Sequence, residues 1–171
     1  MARRTKFGAL IAILVLIITV AGCRSKDAAT GHLAPPVSFK LIDGQVATIS
    51  QYAGRVLLVD FWATTCAICL AEMPSMHEIA DSMAAQGLSI VTVTMRYDRP
   101  DHVLNAVQKR AIKLPVALDI QGEVASALGP VNGTPTRVII DRSGRIVERM
   151  VGAIKPAQLR ARLRALLGEP A

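Results

Sequence analysis

The chain has 171 residues, enough for one domain plus a short extension, with 20 basic against 13 acidic residues and aromatics at only 4%. A mild basic excess with no basic stripe and no interleaved aromatics excludes a dedicated nucleic-acid binder. Three cysteines provide one close pair and no second pair to complete a four-ligand zinc site.

At the N-terminus, Arg3, Arg4 and Lys6 precede an almost wholly apolar run from Gly8 to Ala21, and Val20-Ala21-Gly22 sets small residues before Cys23. This is the pattern of a bacterial export signal. Val20-Ala21-Gly22-Cys23 resembles a lipobox, which implies cleavage before Cys23 and a diacylglyceryl group on its sulfur. Residues 1–22 are then a leader, and the membrane is reached through the N-terminal lipid. The competing reading is an uncleaved anchor, against which the apolar run falls short of the roughly 20 residues of a spanning helix. Either reading places the domain outside the cytoplasm, facing the periplasm or an equivalent space, where a reduced thiol pair needs a continuing supply of electrons. Without Arg3, Arg4 and Lys6 the chain keeps 17 basic against 13 acidic residues, a net +4. Residues 23–34 are polar and small and read as a flexible tether, which leaves 35–171 as the folded domain.

Past Pro35-Pro36, Val37 to Leu41 alternates as a half-buried strand does, Asp43-Gly44 is a hairpin turn signal, and Val46 to Ile49 is the return strand. Val56 to Phe61 is apolar throughout until Asp60 and predicts a central strand buried on both faces. A helix is predicted from Cys66 to Gln86, with Met73, Met76, Ile79, Ala80 and Met83 at helical spacing, Pro74 kinking it and Gly87 ending it. Leu88 to Met95 is a β-branched strand, Pro100 to Ala111 a helix, Val116 to Leu118 a short strand, and Gln121 to Leu128 a short helix stopped by Gly129-Pro130. Gly133-Thr134-Pro135-Thr136 precedes a strand over Val138 to Asp141. Arg142-Ser143-Gly144 turns the chain back along Arg145 to Val151, and Pro156 to Leu167 is the last helix. This order of elements predicts an α/β sandwich on a mixed sheet.

The stretch Phe61-Trp62-Ala63-Thr64-Thr65-Cys66-Ala67-Ile68-Cys69 puts two cysteines at a strand-to-helix junction. Backbone N–H groups and the helix dipole there favour negative charge, which lowers the Cys66 thiol pKa and makes its thiolate a nucleophile. Cys69, one turn on, lies deeper and resolves the bond that Cys66 forms. The chemistry indicated is thiol–disulfide exchange, carried by the Cys66–Cys69 pair with no other cofactor and no metal. His32, His77 and His102 are scattered, and Leu70 stands where a haem-attachment motif has histidine.

Val59-Asp60-Phe61-Trp62-Ala63, Cys66-x-x-Cys69, Pro74 and Gly133-Thr134-Pro135-Thr136 together resemble thioredoxin-fold proteins. Glu72-Met73-Pro74 and the hairpin over Phe39 to Ile49 resemble the TlpA/ResA-like branch, the membrane-anchored extracytoplasmic thioredoxins. The resemblance spans roughly Pro35 to Leu167. It implies a thioredoxin-like three-layer sandwich, a mixed sheet with helices on both faces and an N-terminal β-hairpin extension. It implies Cys66 as the attacking thiol, Cys69 as the resolving thiol, a cis Pro135 packed against the dithiol, Thr134 lending its backbone to a substrate strand, and Trp62 flanking the site. It also implies that Glu72 tunes thiol ionisation and that Asp60 occupies the place of a buried aspartate. Thr65 and Ala67-Ile68 depart from the tryptophan and the x-Pro dipeptide common in this branch, and the dipeptide helps set the redox potential.

Asp60 and Glu72 are both candidate proton acceptors for Cys69, and two acids near one dithiol titrate as a set. Spacing alone favours Glu72, one turn beyond Cys69. The function expected is extracytoplasmic reduction of disulfides in exported proteins, of the kind needed for cytochrome c maturation or copper-site assembly. The expected electron source is a membrane thiol reductant of the DsbD/CcdA type, and the expected state is a monomer. The alternatives are a disulfide oxidase or isomerase, a thiol peroxidase, and a non-catalytic binding module or copper chaperone. Equilibration against a glutathione buffer separates the first from a reductase, and metal analysis tests the last.

Overall fold

The structure, a computed structural model, describes residues 31–168. The expected leader, the expected lipidation site Cys23 and most of the expected tether lie outside the described residues.

A short antiparallel hairpin comes first, β1 (Ser38–Lys40) and β2 (Val46–Thr48), joined through Asp43-Gly44 with Gly44 at φ 87°. A 3-10 turn over Ile49–Tyr52 leads into β3 (Val56–Trp62). Helix α1 (Ala67–Met83) follows, then β4 (Leu88–Thr94), α2 (Pro100–Arg110), β5 (Val116–Leu118) and the short α3 (Glu123–Ala127). β6 (Thr136–Ile140) and β7 (Ile146–Val151) form the second hairpin, and α4 (Pro156–Leu167) is the last helix. The main sheet has the order β5-β4-β3-β6-β7, with β3, β4 and β5 parallel and β6 and β7 antiparallel to their neighbours. This is the mixed sheet that the order of elements predicts, with the hairpin extension that the resemblance to thioredoxin-fold proteins implies.

β3 lies at the centre and every residue in it is buried. Its alternate residues feed two cores, as a period of two requires. Leu57, Val59 and Phe61 pack with Phe39, Val124 and Leu128 on one face. Val56 and Leu58 pack with Met76, Ile79, Leu159 and Leu163 from α1 and α4 on the other. Helices on both faces force β3 to be apolar throughout, so the charged Asp60, 2% exposed, is an exception that calls for a partner.

α1 starts one residue later than predicted, with Cys66 as its N-cap, and continues through Pro74. Gly87 closes it at φ 101°, after a 3-10 turn over Ala84–Gln86. β6 begins two residues earlier than the sequence reading, so it takes in Arg137. The folded domain also begins earlier. The Ala34 N–H donates to Gly144 O at 2.9 Å, His32 O accepts from Ile146 N at 2.9 Å, and Leu33 bridges Arg145. Gly31 to Ala34, assigned to the tether from composition, therefore belong to the fold. Backbone pairing leaves no mark on side-chain composition, which is why they read as linker. Among the described residues no helix is long and apolar enough to cross a membrane.

Candidate active site

Cys66 and Cys69 are joined by a disulfide across the first turn of α1, with their Cα atoms 5.3 Å apart. Their surroundings differ. Cys66 is part-exposed, whereas Cys69 is buried, 3% exposed, against Trp62 and Met73. As N-cap, Cys66 accepts a hydrogen bond on Sγ from the Cys69 N–H at 3.2 Å. A sulfur in this position, at the positive end of a 17-residue helix, is favoured as thiolate once reduced.

The approach to Cys66 is fixed by a residue that the sequence reading did not connect with the site. Asp98, 8% exposed, accepts from the Thr64 N–H at 2.8 Å and from the Thr64 hydroxyl at 2.6 Å, tying the loop before Cys66 to the segment after β4. These are charge-assisted bonds. Asp98→Ala strands both Thr64 donors and is expected to cost about 1–3 kcal/mol of stability and to speed alkylation of reduced Cys66. A chemical denaturation curve and an iodoacetamide rate check the two effects.

Thr134-Pro135 is a cis peptide bond, and the buried Pro135 accepts on its carbonyl from the Gly152 N–H at 2.8 Å. Thr134 is part-exposed beside it. A cleft of about 360 Å³ reaches Gly133, one residue before, and is lined by Met95, Arg96, Tyr97, Val131 and Asn132 among others.

Trp62 differs from expectation. It has no exposed surface and packs with Cys69, Met73, Val103, Ile112 and Val116, with its indole N–H unpaired. A side chain with no exposed surface does not meet a substrate, so Trp62 is the floor under the dithiol rather than a flanking contact. The physical reason is its place at the end of β3, on the face that α1 and α2 cover.

On the face of the sheet that α1 covers lies a largely buried charge cluster. Asp60 and Arg137 are register partners on β3 and β6, on the face that α1 covers. Arg137 is 1% exposed. Its Nε lies 3.1 Å from Asp60 Oδ1, at an angle that makes this an ion pair without a hydrogen bond. Its Nη2 donates to Glu72 Oε2, and its Nη1 donates to Gly152 O at 3.4 Å. Glu72 Oε1 accepts in turn from the Ile154 N–H at 3.3 Å. One guanidinium thus holds both carboxylates that the sequence singled out, and Arg137 is the residue sequence reasoning missed. Burial pushes the Asp60 carboxyl up to about 6, Arg137 offsets part of that rise, and Glu72 adds to it. Glu72, which spacing favoured as proton acceptor, is already engaged by Arg137 and a backbone amide. Asp60 is the acid whose proton affinity is shifted toward neutrality. Among the described residues no group of three His, Cys, Asp or Glu side chains is placed to hold a metal ion.

The chain matches the Redoxin family over residues 29–167. It is 28% identical over 137 residues to the thiol-disulfide oxidoreductase ResA of Bacillus thuringiensis subsp. konkukian, covering 80% of this chain and 78% of that protein. Its fold is similar to that of a thiol:disulfide interchange protein of the thioredoxin family from Chlorobium tepidum TLS, with a TM-score of 0.74 and 27% identity over 82% of this chain and 99% of the other. It is also similar to the exposed lipoprotein thioredoxin of Streptococcus pneumoniae, with a TM-score of 0.70 and 26% identity over 77% of this chain and 100% of the other. With a part-exposed Cys66 bonded to a buried Cys69, a cis proline and a mixed sheet of thioredoxin order, the chain belongs to the Redoxin family as a TlpA/ResA-like thiol–disulfide oxidoreductase.

Proposed function

We propose that the domain works outside the cytoplasm as a reductase of disulfides in exported proteins. The observation that carries this reading is the asymmetry of the pair: a part-exposed sulfur at a helix N-cap, and a buried one packed against Trp62, two residues along β3 from Asp60, whose carboxyl is pushed up to about 6. The Cys66 thiolate attacks one sulfur of a substrate disulfide. A Cys66–substrate bond forms, and the other substrate sulfur leaves as a thiolate and takes a proton from water. Cys69 then passes its proton to Asp60 and attacks Cys66 Sγ. The substrate's second sulfur leaves, two electrons have moved to the substrate, and Cys66–Cys69 is left oxidised. No other cofactor is needed for this cycle.

A substrate chain enters along the cleft that ends at Gly133, with Thr134 and Pro135 next along the backbone. Electrons return from a membrane thiol reductant of the DsbD/CcdA type, and substrates are of the cytochrome c maturation or copper-site assembly kind. The domain acts as a monomer, held to the membrane through a lipid on Cys23. The similar pneumococcal protein, described as an exposed lipoprotein, supports that anchoring.

Cys69→Ser, expressed with its own leader, leaves Cys66 without a resolving thiol. It is expected to accumulate mixed disulfides with exported proteins, visible as bands that collapse on adding dithiothreitol. If the variant carries no such adducts while wild-type protein is exported and folded, the reductase reading fails.

A further inference from the structure

Neither carboxylate of the cluster is free, because both meet one arginine that no step of the exchange reaction requires. We propose that Arg137 is a positioning residue of the site: its buried guanidinium joins Asp60, Glu72 and the 152–154 loop into one unit, so that proton acceptance at Asp60 and the placement of the loop beside Pro135 depend on the same side chain. The proposal rests on the exchange reading given above.

The geometry is specific. Arg137 spends each face of its planar fork on a different element: Nε on Asp60 of β3, Nη2 on Glu72 of α1, and Nη1 on the Gly152 carbonyl after β7. Glu72 closes the ring by accepting from the Ile154 N–H, and the Gly152 N–H bonds the Pro135 carbonyl. Only a guanidinium presents donors in three directions from one plane; an ammonium is a single charge point. The other groups near Asp60 on this face do not take over the role. Cys69 lies on α1 with Glu72, while the β4 neighbour Thr92 and the β7 residue Met150 opposite Arg137 carry no titrating group.

The charge count explains why the unit acts as a switch. With both carboxylates ionised, one buried cation faces two anions, Asp60 buried and Glu72 part-buried, and the excess charge is costly. One proton on Asp60 leaves a neutral cluster of Arg137 and Glu72. The site is therefore poised to accept one proton, the one Cys69 must lose, and Arg137 sets how readily that happens. An arginine removed without replacement takes away the cation that offsets the burial of Asp60, and Asp60 then holds its proton more tightly.

The test compares Arg137→Lys, Arg137→Met and Glu72→Gln in the full-length protein. Thiolate absorbance near 240 nm is followed against pH on the reduced protein, with single-turnover reduction of insulin disulfides alongside. Arg137→Met is expected to move the upper thiol inflection upward by about one to two pH units. Arg137→Lys should recover most of that shift, and Glu72→Gln should move the inflection downward. Amide exchange at Gly152 and Ile154 should quicken by about tenfold in Arg137→Met, and at Ile154 in Glu72→Gln. A folded Arg137→Met with the wild-type titration overturns the proposal, as does an inflection in Glu72→Gln that stays put or rises. If Arg137→Met does not fold, the Glu72→Gln direction and the Ile154 exchange rate decide. The titration uses no substrate. Failure to reduce insulin at any pH would therefore refute the reductase reading and leave this one to stand or fall on its own curve.

Discussion

Asp60→Asn is expected to slow release of the mixed disulfide by about 10²-fold if Asp60 is the general base proposed above, while making the folded domain more stable at neutral pH. Both effects have one cause. In the folded protein the Asp60 proton affinity is raised from 3.8 to about 6, with burial the largest contribution. The folded state therefore binds this proton more tightly than the unfolded chain does. The sign follows from linkage: the stability is fully present below about pH 4 and is lost as pH rises through about 6. A rise of that size corresponds to a loss on the order of 3 kcal/mol. Asparagine has no charge to bury, so the variant escapes the loss. Glu72 still pairs Arg137, so no uncompensated cation is left behind. Urea midpoints at pH 4 and pH 8 check the prediction, with the gap between variant and wild type opening only at the higher pH. Parallel midpoints at both values would remove Asp60 as the buried titrating group. Stopped-flow release from a preformed Cys66 adduct checks the kinetic half.

Trp62→Ala is expected to destabilise the domain by about 3–5 kcal/mol, the range for deleting a large aromatic from a core. Trp62 is fully buried among side chains from three elements. The cavity would open directly under Cys69, so the loss should also loosen the resolving thiol. Trp62→Phe separates packing from chemistry. It keeps most of the ring volume and removes an indole N–H that has no partner, so it should cost less than about 1.5 kcal/mol. Thermal unfolding of both variants measures the difference. If alanine costs no more than phenylalanine, Trp62 is not the floor of the site. A substrate-contacting tryptophan would behave in the opposite way, with little change in stability and a raised KM.

The parts of the fold that were legible in the sequence are those where local chemistry and tertiary role agree. β3 is apolar because both of its faces are covered. Gly44 and Gly87 sit where left-handed backbone is needed. Cys66-x-x-Cys69 occupies a strand-to-helix junction, and Gly133-Thr134-Pro135-Thr136 precedes a buried strand. Arg137 was not legible because a strand buried on both sides has no alternation to violate. One charge beside Val138-Ile139-Ile140 reads as a strand end, and its partner Glu72 is 65 residues away. Asp98 was hidden for a similar reason, since its acceptor role toward Thr64 spans 34 residues of sequence. Ranking Glu72 above Asp60 by spacing failed to anticipate the arginine that occupies Glu72.

The Leu41 bridge to Ala117 and the Ile42 N–H bond to Val116 O lie along β5, while His32 to Ala34 run beside the start of β7. Both outer margins of the sheet are thus partly occupied by the chain's own backbone, and the rest of β7 carries Glu148 and Arg149. A margin so blunted offers a neighbouring copy little on which to extend the ladder. Copies of the domain crowded together at high local density should therefore resist zipping into aggregates, and each would keep its thiol face open to clients.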